Sequence, residues 1–129
     1  MATVPDDLKY TADHEWARLT TGDGVIEIGI TDYAQGELGD IVFVNLPKVG
    51  DRFTAHQVFG TIEAVKAVSD LFCPVAGEAA AVNGTLDQDP AAVNRSPYGE
   101  GWMIRLKMDD PKSFDSLLSS ADYRTQIGA

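Results

Sequence analysis

Of the side chains able to do chemistry, Lys66 is set apart by its surroundings. It lies in the stretch Gly60-Thr61-Ile62-Glu63-Ala64-Val65-Lys66-Ala67-Val68-Ser69-Asp70-Leu71-Phe72-Cys73-Pro74, between Ala64-Val65 and Ala67-Val68, with Glu63 and Asp70 the nearest charges. A lysine among small apolar neighbours at a strand-to-strand turn has no carboxylate to pair with at the tip, so its amine is held outward. A solvated lysine amine is protonated at neutral pH and is a poor unassisted nucleophile. This setting suits a side chain that another protein acylates. Acylation removes the charge and leaves an amide at the root of a long arm. Fully extended, lysine plus acyl chain reaches on the order of 14 Å. One tethered group could then visit several active sites while this chain makes none of its own.

The remaining reactive residues form no constellation. His14 and His56 are far apart in sequence, and with one cysteine they give no metal-ligand spacing. His14, beside Glu15 and Trp16, rises slightly above background. Gly22-Asp23-Gly24 and Gly99-Glu100-Gly101 place carboxylates where a phosphate would bind, so they read as turns, not phosphate cradles. Cys73 has Asp70 as its nearest charge, whereas a redox thiol wants positive charge nearby; it reads as a small buried strand residue.

The elements that would carry Lys66 are strands. Val58, Gly60, Ile62 and Ala64 share one parity and Thr61 and Glu63 the other, the period of a half-buried strand. Leu71-Phe72-Cys73-Pro74-Val75 supplies the returning apolar run. Upstream, residues 1–13 read as a polar lead-in. His14-Glu15-Trp16-Ala17-Arg18-Leu19 reads as a short strand of mixed parity, and Thr21-Gly22-Asp23-Gly24 as a hairpin-type turn into Val25–Ile30. Asp32-Tyr33-Ala34-Gln35 resembles a capping box with Asp for Ser, predicting a short helix ending near Gly39. Ile41-Val42-Phe43-Val44 is apolar on both parities, as in a strand covered on both faces.

Downstream, Ala79 to Val82 reads as a weaker strand ended by the turn dipeptide Asn83-Gly84. Asp89-Pro90 starts one or two helical turns before Pro97. Trp102, Ile104, Leu106 and Met108 alternate with Arg105 and Lys107 in an amphipathic strand. Asp110-Pro111 opens a helix bearing Phe114, Leu117, Leu118 and Ala121 at helical spacing. Gly50-Asp51 and Gly77-Glu78 precede strands in similar fashion, a weak internal symmetry. It predicts a mainly β, flattened sandwich of two similar halves with Lys66 at one end.

At 129 residues, with 44% hydrophobic and 23% charged residues, the chain can bury its own core as one domain. No linker rich in Pro, Gly or Ser divides it. Ten basic against twenty acidic residues give −10, which disfavours nucleic acid and anionic membranes. One cysteine excludes an internal disulfide and fits a reducing compartment. There is no apolar run of membrane-spanning length. Met1-Ala2-Thr3-Val4-Pro5-Asp6-Asp7 shows neither a secretory nor an Arg-rich transit pattern, so a bacterial-type cytoplasm is expected.

Taken together, several of these stretches resemble the H protein family of the glycine cleavage system. His14-Glu15-Trp16, Gly29-Ile30-Thr31-Asp32-Tyr33-Ala34-Gln35, Leu38-Gly39-Asp40-Ile41-Val42-Phe43-Val44 and Leu46-Pro47 match in order. So do Glu63-Ala64-Val65-Lys66-Ala67-Val68-Ser69-Asp70, Pro74-Val75-Ala76-Gly77-Glu78, Val82-Asn83, Val93-Asn94 and Pro97-Tyr98-Gly99-Glu100-Gly101-Trp102. The likeness runs from about Lys9 to the C-terminal helix. It implies a barrel-sandwich hybrid of the lipoyl/biotinyl type with short helices and a C-terminal helix, one domain over 1–129 with a core of about 24–108 and a helical segment of about 111–126.

It also implies lipoate joined by an amide to Lys66 and a carrier that is not itself a catalyst. The dithiolane would take up an aminomethyl group and electrons as glycine decarboxylase acts, deliver the group to aminomethyltransferase, and be reoxidised by dihydrolipoyl dehydrogenase. A lipoyl ligase or transferase would install the arm, and the chain would act as a monomer. In the family the loaded arm folds into a surface cleft. Glu15, Tyr33 and Asp70 match cleft positions, with a charged Glu15 facing the loaded amine. By the same likeness Glu63 would be an arm contact or a ligase-recognition residue. Tyr33 stands where the family often has histidine, Ala64 where serine is common, and Cys73 where serine is frequent. The rival readings are a lipoate relay serving other complexes, another lipoyl or biotinyl carrier, and an unmodified binding module. Biotin carriers favour methionines beside the lysine, where this chain has Val65 and Ala67.

Overall fold

The computed structural model describes residues 2–20 and 23–128. In chain order the elements are β1 (Lys9–Tyr10), β2 (Glu15–Leu19), β3 (Val25–Ile30), α1 (Asp32–Leu38), β4 (Ile41–Asn45), β5 (Arg52–Phe53), β6 (Val58–Ala64), β7 (Val68–Phe72), β8 (Gly77–Val82), α2 (Ala92–Arg95), β9 (Ile104–Met108) and α3 (Ser120–Ile127). Short 3-10 turns occupy Gly84–Asp87 and Pro111–Ser116. Two antiparallel sheets form, one of six strands ordered β1-β2-β3-β9-β8-β5 and one of three ordered β4-β6-β7.

The main core lies between the sheets. Ile26, Ile28, Ile30 and Leu106 from the larger sheet meet Ile41, Val44, Ile62 and Leu71 from the smaller, all at most 3% exposed. A second cluster, Val4, Leu8, Tyr10, Trp16 and Tyr123, is built between the larger sheet, the N-terminal segment and α3. The mixed parity of β2 follows from this: Ala17 enters the first cluster and Trp16 the second, so the strand is buried on both faces. Gly29, paired with Trp16, makes room for the indole, because a Cβ there would come within 2.8 Å of the ring.

Several expectations shift. The helix over Asp32–Leu38 is capped one residue earlier than the sequence suggests: Thr31 Oγ1 accepts from the Ala34 N–H. The strand Ile41–Asn45 is not covered on both faces. A bulge between Ile41 and Phe43 leaves both Val42 and Phe43 exposed on the open side of the smaller sheet. A second bulge between Val58 and Gly60 buries Phe59 and exposes Val58, reversing the inferred parity there.

The two sheets are unequal, so the similar halves are not seen. The segments following Gly50-Asp51 and Ala76 instead pair with each other, Arg52 with Glu78 and Phe53 with Gly77. Asn83 ends β8 by capping the 3-10 turn and donating to the Glu100 and Trp102 carbonyls. The C-terminal segment is not one helix: Leu117 is extended, and Leu118 bridges to Tyr10 before Ser119 caps α3. The hairpin turn expected at Thr21–Gly24 includes Thr21 and Gly22, which lie outside the described residues; Asp23-Gly24 does turn into β3.

Candidate functional site

The hairpin β6–β7 is tighter than the sequence indicates. The returning strand begins at Val68, not Leu71, and Glu63 pairs with Val68. The Ala64 N–H donates to the Ala67 carbonyl at 2.7 Å, leaving Val65 and Lys66 at the apex. The Val65 N–H donates to the Asp40 carbonyl at 3.1 Å, which ties the apex to the start of β4. Lys66 is exposed, and its side chain lies along Gly39. A Cβ at Gly39 would sit 3.4 Å from Lys66 Cε, and the backbone there has φ +82, so glycine serves both the helix end and the lysine.

Asn94 secures this corner. Its Nδ2 donates to the Gly39 carbonyl at 2.9 Å and to Gln35 Oε1 at 2.8 Å, while its Oδ1 accepts from the Ile41 N–H at 2.9 Å. The end of α1 and the start of β4 are thus held by one side chain.

Beside this corner is a cleft of about 260 Å³ lined in part by Glu15, Tyr33, Glu37, Leu38, Ile62 and Asp70. Three of the residues nominated from sequence, Glu15, Tyr33 and Asp70, therefore meet in one cavity. Leu38 is the residue before Gly39, so the end of the lysine side chain lies next to a cleft-wall residue. Glu63 does not line the cleft. It stands on the open face of the smaller sheet in a cross-strand row with Phe43 and Val68. Around the apex this face is apolar, with Val65 76% and Val68 68% exposed.

The electrostatics differ from those of a solvated carboxylate cluster. Glu15 is 2% exposed. Burial pushes its carboxyl up to about 8, opposed by bonds from Thr11 and Phe72. Thr11 Oγ1 donates to Oε1 at 2.7 Å and the Phe72 N–H to Oε2 at 3.3 Å. Burial against β7 thus favours the neutral form of Glu15, where the sequence suggested a charged carboxylate. Tyr33, hydrogen-bonded to the Glu37 carboxylate, is held above the usual phenol range. His14 is lowered by burial, against the pull of Asp13 and Glu37. Cys73 is buried with its thiol pushed up to about 12, so it is no thiolate nucleophile.

His14, Thr11, Glu37 and Asn94 were not singled out as site residues by sequence reasoning. Only His14 carried a faint signal, through its place next to Glu15-Trp16. Among the described residues no group of His, Cys, Asp and Glu could hold a metal ion, and no helix is long and apolar enough to cross a membrane.

Comparison with known proteins gives a concordant result. Residues 8–128 match the family model described as glycine cleavage H-protein. The glycine cleavage system H protein of Chlorobium limicola is 56% identical over 126 residues, 98% of each chain. That of Opitutus terrae is 52% identical over 128 residues, 99% of this chain and all of its own. The crystal structure of a glycine cleavage system H protein from Mycobacterium marinum superposes with TM-score 0.89 at 39% identity, over 98% of this chain and 100% of that one. The two-sheet arrangement is the lipoyl-type barrel-sandwich hybrid expected from the sequence, with short helices and a C-terminal helix.

Proposed function

Since the chain belongs to the glycine cleavage H-protein family, we propose that it is the lipoylated, non-catalytic carrier of the glycine cleavage system, with lipoate joined by an amide to Lys66. One observation carries the reading: the Lys66 side chain is exposed at a hairpin apex, and its end lies along Gly39, next in the chain to the cleft-lining Leu38. The cleft's make-up fits such an arm. Ile30, Leu38, Ile62 and Leu71 offer an apolar bed for a hydrocarbon chain, and Glu15, Glu37 and Asp70 offer acidic groups for an amine at its end.

When bound, the lipoyl group supplies a dithiolane that accepts electrons and an aminomethyl group from glycine. What this chain does is hold, orient and shield. The apex holds the amide root in water, where glycine decarboxylase, aminomethyltransferase and dihydrolipoyl dehydrogenase can each reach the arm. The cleft withdraws the cargo from solvent between visits. Glu15, biased by burial towards its neutral form in the protein alone, would ionise as a cationic amine seats beside it, since an opposite charge favours the carboxylate form. Glu63, Phe43 and Val68 lie outside the cleft near the apex, which supports a role in recognition by the lipoyl ligase or transferase rather than in arm contact. A lipoate relay to other complexes would use the same lysine. The test is glycine-dependent carbon dioxide exchange in a reconstituted system: Lys66→Arg abolishes it, and exchange retained in that variant contradicts the reading.

A further inference from the structure

Behind the cleft, and not lining it, Tyr123 of α3 is fully buried. Its ring stacks on Tyr10 with centroids 4.7 Å apart at 9°. Its hydroxyl lies 2.8 Å from His14 Nδ1 and 2.7 Å from Thr31 Oγ1. Both partners belong to the cleft's frame. His14 is a wall residue, its ring 5.1 Å from that of Tyr33, another wall residue. Thr31 caps α1, which supplies Tyr33, Ala34, Glu37 and Leu38 to the cleft. His14 also adopts φ +69, a backbone region that non-glycine residues seldom enter. Such an outlier persists where the surroundings over-determine it.

We propose that Tyr123 is a positioning residue for the carrier's arm, its hydroxyl fixing the His14 ring against Tyr33 and the capped start of α1; this rests on the carrier reading and goes beyond it. A phenol has one proton to give and lone pairs to receive. The order Thr31 hydroxyl to Tyr123 hydroxyl to His14 Nδ1 uses every hydroxyl proton and sets the neutral imidazole with its proton on Nε2. The ring then has one orientation and one tautomer on the cleft wall. Removing the hydroxyl leaves the fold its other anchors: the Tyr10 stack, the Tyr10–Leu118 bridge, Arg124 donating to the Val4 carbonyl at 2.7 Å, and Gln126 donating to the Ala12 carbonyl at 3.0 Å.

The experiment compares the wild-type chain with Tyr123→Phe, and with His14→Phe as a variant that keeps a ring but loses Nδ1. Imidazole nitrogen-15 spectra are recorded on the unacylated proteins. On the lipoylated, glycine-loaded proteins, loss of cargo to water is then followed; water takes the carbon from sulfur, releasing formaldehyde and ammonium and leaving the thiol. The wild type should show the Nε2–H tautomer at His14, and Tyr123→Phe a tautomer mixture. Both variants should lose cargo about two- to tenfold faster, the range of one lost hydrogen bond. An unchanged His14 spectrum in Tyr123→Phe, or wild-type cargo retention in either variant, overturns the role of Tyr123 alone. A wild-type chain whose Lys66 takes no lipoyl group overturns the carrier reading and this role with it.

Discussion

Replacing Glu15 by Gln should move stability in the variant's favour as pH rises. Burial raises the Glu15 carboxyl from 4.5 to about 8. Below 4.5 the folded and unfolded chains both carry the proton, and the folded chain pays nothing for it. As pH rises from 4.5 towards 8, the unfolded chain releases the proton while the folded chain keeps it. Stability then falls by about 1.4 kcal/mol per pH unit. Over a span of about 3.5 units the loss is on the order of 5 kcal/mol, complete once pH passes the folded value. Gln is uncharged like the protonated carboxyl, and its carbonyl oxygen can accept the Thr11 hydroxyl bond that Glu15 Oε1 accepts, giving up the longer bond from the Phe72 N–H. It carries no proton to lose. Urea unfolding of both proteins at several pH values between 4.5 and 8 isolates this residue, because every other titrating group cancels in the difference. The difference between the two should shift steadily in favour of Glu15→Gln as pH rises across that range. Parallel curves across that range would contradict a raised Glu15 carboxyl.

Asn94→Ala removes three hydrogen bonds that join Gln35, Gly39 and Ile41, and should cost about 2–3 kcal/mol in denaturant unfolding; a loss below about 0.5 kcal/mol would contradict the corner's importance. Gly60→Ala would place a Cβ 2.2 Å from the Asn45 carbonyl oxygen. It must push β4 away from β6, lowering stability by about 1–3 kcal/mol in the same assay. Gly36→Ala is the matched contrast, since its Cβ would meet nothing within 4 Å; on the open side of α1 it should gain up to about 1 kcal/mol.

What was legible in the sequence was local. The alternation of Ile26, Ile28 and Ile30 and of Ile104, Leu106 and Met108 marked two strands that the structure pairs directly. The Lys66 hairpin was visible from its flanks. Bulges were not: each adds a residue to one strand and reverses parity, so Val58 was placed on the buried face and Val42 and Phe43 were taken as covered. The break at Leu117 was hidden because Phe114, Leu117 and Leu118 keep helical spacing while serving two clusters, Phe114 and Leu117 on the main core and Leu118 on the second.

The cleft could be nominated through Glu15, Tyr33 and Asp70 only by family likeness, since they come from three distant segments. The bias of Glu15 towards its neutral form depends on burial against β7, which spacing along the chain does not encode. Likewise nothing in the sequence set Tyr123 apart. Its link to His14 spans 109 positions.

The carrier role stands or falls on the chemistry at Lys66. Intact mass and peptide mapping of the protein, made in cells supplied with lipoate and the lipoylating enzymes, address it directly. The predicted result is one lipoyl group per chain, carried on the peptide containing Lys66 and missing from Lys66→Arg. A chain that stays unmodified, or carries the group on Lys9, Lys48, Lys107 or Lys112, would contradict it.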